Sequence, residues 1–436
     1  MEWWLIFSIL LGGLITLMLI GLPVAFSFIF ITILVMSIMM GIENGSQQLI
    51  LSMYNSLTKF SLTAIPLFVI MGEILFHSGL ASRTLDVLSK WLGPIPGRLS
   101  VLTLLGGGLF ASLSGSTVAN TAMFGALMVP EMVKRGYKNE MILGPIMGSG
   151  ALAMVIPPSA LAVLLGSIAE ISVGRLLIAA FLPGLLLLAL FLIYTIGRCW
   201  LNPNLAPKYQ VSKVSSGEKL LLTVRDLLPL GSIIFLVLGL IFFGVATPTE
   251  AAALGALGSM ILVAAYKRMS YKVFYQSLFG TLRVTVMIYT IIAGSAAFSQ
   301  ILAFSGATRG MVQLVLSLSI GPNLILLTML VTVIILGCFM EQVSIMMITI
   351  PMFMPIINAL GFDPIWFAVL VLICLEIGQL TPPVGLALFV MKGAAPAEVS
   401  MKDIYKSALP FVACDIVGLM ILIYIPAIAT WLPNLI

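Results

Sequence analysis

Four short segments carry polar, helix-breaking residues in an otherwise apolar chain. They are Ser114-Gly115-Ser116-Thr117 with Asn120, Gly337-Cys338-Phe339-Met340-Glu341 with Gln342 and Ser344, Ile156-Pro157-Pro158-Ser159, and Gln379-Leu380-Thr381-Pro382-Pro383. A double proline supplies no N–H at either position and obstructs the preceding helical turn, so it frees carbonyl oxygens upstream. Freed carbonyls beside Ser and Thr hydroxyls suit a hard, weakly charged cation such as sodium, and half-helix N-termini offer N–H groups to an anion. Other chemistries drop out. The single histidine, His77, and four widely spaced cysteines, Cys199, Cys338, Cys374 and Cys414, build no metal cluster or CxxC pair. No nucleophile, base and acid stand together, so an enzyme is not expected.

These segments sit within 436 residues, 61% hydrophobic and 8% charged, with mean hydropathy +1.19. Repeated apolar runs of 18 or more residues read as a polytopic helical membrane protein, each span needing ~20 such residues. Full crossings are expected near 3–20, 23–41, 60–78, 140–165, 177–197, 228–246, 249–266, 281–303, 364–391 and 408–430. The stretches 99–129 and 322–356 behave differently, because the first two polar segments interrupt them centrally. Limbs of about 15 residues are ~22 Å long, short of a ~30 Å hydrocarbon core, so both stretches read as re-entrant helical hairpins. Glu2, Trp3 and Trp4 stand where a secretory signal would carry basic residues, and they suit a membrane interface instead.

The basic residues test this layout. With both hairpins returning to their own side, 18 of the 21 Lys and Arg fall on one face, and only Lys59, Arg175 and Arg309 on the other. The positive-inside bias then puts the 18 in the cytoplasm and both termini outside. A true crossing at either hairpin would invert the bias downstream.

One offset also recurs. Pro23, Pro130, Pro157 and Pro158 find prolines 225 residues later at Pro248, Pro355, Pro382 and Pro383, and Ser78-Gly79 parallels Ser305-Gly306 at 227. Each half therefore holds five crossings and one hairpin, and an odd number of crossings makes the second copy enter from the opposite face. The expected architecture is all-α, with two inverted repeats around broken helices. Residues 1–200 form the first repeat (arm 83–97, hairpin 99–129, broken helix 140–165) and 201–226 a cytoplasmic linker. Residues 227–436 form the second (arm 308–319, hairpin 322–356, broken helix 364–391). Many secondary transporters are built this way, with their sites near the midplane. Non-helical backbone at membrane depth must be buried in protein or line a wet cavity, so the four segments should meet inside the bundle.

Four ionisable residues are weighed separately. Glu73 and Glu376 read either as structural hydrogen-bonding groups or as coupling groups. Asp415 reads as an anchor for the last span, and His77 as a cap on helix-end carbonyls.

The run Ser114-Gly-Ser-Thr-Val-Ala-Asn120, the segment Val129-Pro-Glu-Met-Val-Lys-Arg-Gly-Tyr137, the Val155-Ile-Pro-Pro-Ser159 break and Leu380-Thr-Pro-Pro-Val-Gly385 carry a resemblance. Together they resemble the large membrane subunit of tripartite ATP-independent periplasmic (TRAP) transporters over essentially the whole chain. The resemblance implies a sodium-coupled, elevator-type importer of small organic acids in a bacterial inner membrane. Its implied partners are a small four-helix membrane subunit and a periplasmic substrate-binding protein. It implies one sodium site between Ser114, Ser116 and the carbonyls of Val155 and Ile156. A second would lie between Gly337 to Met340 and the Gly378 to Thr381 break, with the Thr381 hydroxyl as a ligand. Ser116, Thr117, Asn120 and Ser159 would face substrate, with Glu341 a further candidate contact that the first tip does not match. A carboxylate symporter that works without a binding protein shares this logic, and a channel is the remaining alternative.

Overall fold

The computed structural model describes residues 2–207, 215–318 and 320–435, with the side chain of every residue there except Ser114. Lys208 and Lys213 of the linker, Ser319 of the second arm, the termini Met1 and Ile436, and the Ser114 side chain lie outside the described residues. All regular structure among the described residues is helical, and seven helices are long and apolar enough to cross a membrane.

The same order of elements occurs twice. Each arm helix, Leu80–Trp91 and Ala307–Ser317, follows a glycine with positive φ, Gly79 and Gly306. In both, the preceding serine donates back to a carbonyl, Ser78 to Leu75 and Ser305 to Leu302. Both hairpins end alike: the second limbs Thr117–Lys134 and Gln342–Ala359 stop at left-handed Gly136 and Gly361. Only glycine takes that conformation without a Cβ penalty. Each broken helix is two pieces, Asn139–Ala151 then Ala160–Ile168, and Pro364–Leu380 then Leu386–Ala394. The Pro157-Pro158 and Pro382-Pro383 bonds between the pieces are both cis.

Both hairpins return to the face they leave. The limbs are longer than expected, 17 and 18 residues in the first and 16 and 18 in the second. At 1.5 Å per residue the longest is about 27 Å, so length alone does not exclude a crossing. The ends decide. Tyr137 accepts from the Leu99 N–H at 3.3 Å, joining the two ends of the first hairpin. Asn323 and Gly361 to Asp363 line one cavity and join those of the second. The hairpins also point oppositely. Ala160–Ile168 runs to the base of the second hairpin, where Ser167 shares a cavity with Met354 and Asn358. Leu386–Ala394 runs along the first, where Gly125 meets Ala394.

Segments expected on one face meet there. Arg83 approaches Asp226 at 3.8 Å, Lys90 approaches Glu218 at 3.5 Å and Arg198 approaches Glu140 at 3.7 Å, all on the basic face. Elsewhere Arg175 donates to Asn434 at 3.0 Å and Trp3 packs over Gly310.

Two groups of helices result. A frame forms from Val24–Met40, Ala64–His77, Leu228–Phe242, Pro248–Ala265 and Tyr271–Phe304, which pack chiefly on one another. A core forms from the hairpins, the broken helices and the long helices Val173–Leu201 and Met401–Tyr424. Two features of the frame depart from expectation. Ile42–Leu57 is a helix that the reading left unassigned, and Tyr271–Phe304 is one 34-residue helix beginning ten residues before the expected span. Ile42–Leu57, with Glu43, Asn44, Gln47, Gln48 and Asn55, is more polar than the spans, yet it packs on Val24–Met40 and Tyr271–Phe304.

Candidate functional site

Each hairpin tip is pressed against the Pro-Pro break of its own repeat. In the second repeat the Cys338 carbonyl accepts from the N–H groups of Val384 and Gly385, both at 3.2 Å, and so ties the tip to the chain just past Pro383. Behind it Gly337 and Gly378 meet backbone to backbone: a Cβ on Gly337 would lie 2.7 Å from the Gly378 Cα. In the first repeat Gly115, at φ +57°, lies beside Ala160 just past the break, where an added Cβ would be 3.4 Å from the Ala160 nitrogen. Each tip thus meets the break of its own half, where the expectation was that all four segments meet together.

The capping groups follow from local chemistry. Ser116 accepts from Ala119 N–H and Ser159 from Ala162 N–H, each at 3.3 Å, so both cap a helix that starts at membrane depth. A capping oxygen there satisfies one of the four N–H groups that a helix start leaves unpaired. Thr381 donates its hydroxyl to the Ile377 carbonyl at 2.6 Å. That bond uses the hydroxyl proton and leaves the oxygen as an acceptor. Val155 and Ile156 are buried and lie where the first piece of the helix unwinds, Ile156 N–H reaching Leu152 at 2.8 Å. Met340 N–H bonds Leu336 at 2.9 Å and closes the second tip.

The candidate substrate contacts fare differently. Thr117, Asn120 and Ser159 are closed off from solvent, while Ser116 is half-buried. Asn120 donates to the Gly107 and Ser149 carbonyls, both at 3.0 Å, and so clamps the two hairpin limbs to the half-helix Asn139–Ala151. Its Oδ1, with Thr117 Oγ1 and Thr121 Oγ1, is buried without a hydrogen-bond partner. The three oxygens stand at i, i+3 and i+4 of one helix, and so on one face of it. Glu341 is turned back on its own helix, accepting from Val343 N–H at 3.1 Å, Ser344 N–H at 3.0 Å and the Ser344 hydroxyl at 2.8 Å. These three bonds make Glu341 the N-cap of Gln342–Ala359.

The other ionisable residues divide between frame and core. Glu73 pairs with His77 at 3.2 Å against Gly280, so His77 holds a carboxylate and not the helix-end carbonyls expected for it. Glu376 and Asp415 are fully buried on adjacent core helices, and none of their oxygens has a hydrogen-bond partner. The hydroxyl partners foreseen for Glu376, and the anchoring contact foreseen for Asp415, are absent among the described residues.

Backbone approaches were the part that sequence reasoning missed. Gly107 on Ser149, Gly150 on Thr121, and Gly144 and Gly148 on Phe411 set how closely the core helices pack. Their signal is the small-residue runs Gly106-Gly107-Gly108 and Gly148-Ser149-Gly150-Ala151, of a kind that membrane helices commonly use for close packing.

Set beside known proteins, residues 11–428 match the family model described as tripartite ATP-independent periplasmic transporter, DctM component. The chain is 33% identical over 403 residues to the C4-dicarboxylate TRAP transporter large permease protein DctM of Pseudomonas aeruginosa, covering 92% of each. It is 31% identical to the isethionate TRAP transporter permease protein DctMQ of Oleidesulfovibrio alaskensis, covering 86% of this chain and 58% of that one. It is 28% identical to the ectoine TRAP transporter large permease protein TeaC of Halomonas elongata, over 98% and 99% of the two. Among solved structures, the YdaH transporter of Alcanivorax borkumensis aligns with a TM-score of 0.63 over 90% of both chains at 14% identity, a likeness of fold.

Proposed function

The chain belongs to the DctM component family of tripartite ATP-independent periplasmic transporters, and from that premise we propose that it imports a small organic acid anion, driven by sodium. The chain acts as a permease and catalyses no covalent step. It works in a bacterial inner membrane with both termini in the periplasm, alongside a small four-helix membrane subunit and a periplasmic binding protein that delivers the solute.

One observation carries the sodium reading: in both repeats a hairpin tip meets a Pro-Pro break inside the core, at Gly115 with Ala160 and at Cys338 with Val384 and Gly385. Oxygen ligands gathered at such a junction serve a sodium ion, and the helix N-termini at Thr117 and Ala160 suit a carboxylate or sulfonate. Ser116, Val155 and Ile156 frame the first sodium site, with Ser114 as the resemblance implies. Gly337, Met340, Gly378 and Thr381 frame the second. The core carries these sites as a body against the frame, in the manner of an elevator.

Two measurements test this. Thr381→Ala removes one oxygen ligand and leaves the fold's packing intact. It is expected to raise the sodium concentration for half-maximal uptake about tenfold, the equivalent of ~1.4 kcal/mol. An unchanged sodium dependence would remove Thr381 from the site. Uptake into proteoliposomes with the small subunit present should also require added binding protein. Full uptake without it would favour the stand-alone symporter.

A further inference from the structure

On the face opposite the basic residues, a cavity of about 500 Å³ opens along the seam between frame and core. The frame contributes Ser56, Lys59, Ser299 and Gln300, and the core contributes Glu170 and Asn358. Lys59 is the only cation lining it among the described residues. Across the seam Lys59 Nζ meets Glu170 Oε1 at 2.9 Å, with the two side chains 44% and 77% exposed. A pair this wet contributes little to stability and is easily exchanged. Glu170 closes the half-helix Ala160–Ile168 in the left-handed region at φ +56°, where a residue with a side chain is uncommon. Gln300 Oε1, buried in the same seam, has no hydrogen-bond partner.

We propose that this cavity is a receiving site for a small organic anion, in which Lys59 is the cation and Glu170 a tethered carboxylate that the arriving anion displaces. The unpartnered Gln300 oxygen selects an anion that also brings a donor, such as a hydroxyl. Because Lys59 belongs to the frame and Glu170 to the core, displacement also frees a link between the two parts. The proposal rests on the reading of the transported solute as an organic acid, and its test is made independent of transport.

The probes are two thiol reagents of similar size, a sulfonate-bearing and a trimethylammonium-bearing methanethiosulfonate, applied to the full chain in its assembled transporter. At a Glu170→Cys reporter the anionic reagent should react faster relative to the cationic one. Adding Lys59→Met should lower that ratio about tenfold, and Lys59→Arg should retain it. At an Asn358→Cys reporter, which keeps Lys59 and Glu170, Glu170→Gln should raise the anionic rate severalfold. A ratio at Glu170→Cys that ignores Lys59→Met, or an anionic rate at Asn358→Cys that ignores Glu170→Gln, would overturn the proposal even where sodium-driven uptake persists. Preserved charge selectivity with no uptake of any organic anion would instead sink the parent reading.

Discussion

Replacing Gly378 with alanine is expected to lower the uptake rate on the order of a hundredfold. The half-helix Pro364–Leu380 crosses the first limb of the second hairpin, Pro322–Gly337, so closely that the added Cβ would lie 2.5 Å from the Gly337 Cα. It would also lie 2.9 Å from the Gly337 carbonyl carbon and 3.2 Å from the Ile334 oxygen. All three atoms are backbone, so no rotamer relieves the overlap and the helices must part. The Cys338 bonds to Val384 and Gly385, already 3.2 Å long, would then be lost along with the tip's position. Overpacking of this kind costs about 1–3 kcal/mol, and displacing a site by ~1 Å can lower a rate on the order of a hundredfold. Gly337→Ala should behave alike, since its Cβ would lie 2.7 Å from Gly378. Gly393→Ala, with nothing within 4 Å, should be silent. Initial uptake rate together with thermal unfolding of the solubilised complex checks all three, and an active Gly378→Ala transporter would show that the tip and break do not act as one unit.

Asn120→Ala is expected to cost about 2–4 kcal/mol and most of the activity. Its amide makes two buried hydrogen bonds at 3.0 Å, to Gly107 and Ser149, each worth about 1 kcal/mol net and more where a carbonyl is left unsatisfied. Asn120→Asp distinguishes clamp from ligand. A carboxylate facing two carbonyl oxygens repels them, so the clamp account expects Asp to be worse than Ala in both unfolding temperature and uptake. If the Oδ1 of Asn120 served chiefly to bind a cation, the added negative charge would instead preserve or strengthen sodium affinity.

The layout was legible in the sequence because Pro and Gly write it out. Pro157-Pro158 and Pro382-Pro383 break helices wherever they stand, and Gly136 and Gly361 end them. The basic residues then decided between crossings and hairpins, a choice that the observed limb lengths would have left open. What the sequence concealed lies in backbone contact. Among 39 glycines, nothing in the letters singles out Gly337 and Gly378 as mutual neighbours, or Gly107 as the partner of Ser149. Glu341 was legible in principle, since a carboxylate just before a helix, with Ser344 three residues on, is a capping arrangement. Its place at a tip favoured the substrate reading instead. The Lys59–Glu170 pair was out of reach, because 111 residues separate its members and only the folded seam brings them together.

The sodium account has an energetic consequence. Each cation moving inward gains about 2.3 kcal/mol per 100 mV, so two sodium ions with a monoanion are driven by the membrane potential. A dianion carried with only two would not be. The most direct test counts charge. In proteoliposomes holding the complex and its binding protein, labelled sodium and solute uptake are measured together while the potential is set by a potassium gradient. The account predicts about two or more sodium ions per solute, with uptake of a monoanion accelerated by an inside-negative potential. Solute uptake that proceeds at full rate without sodium, and with no sodium entering, would contradict it.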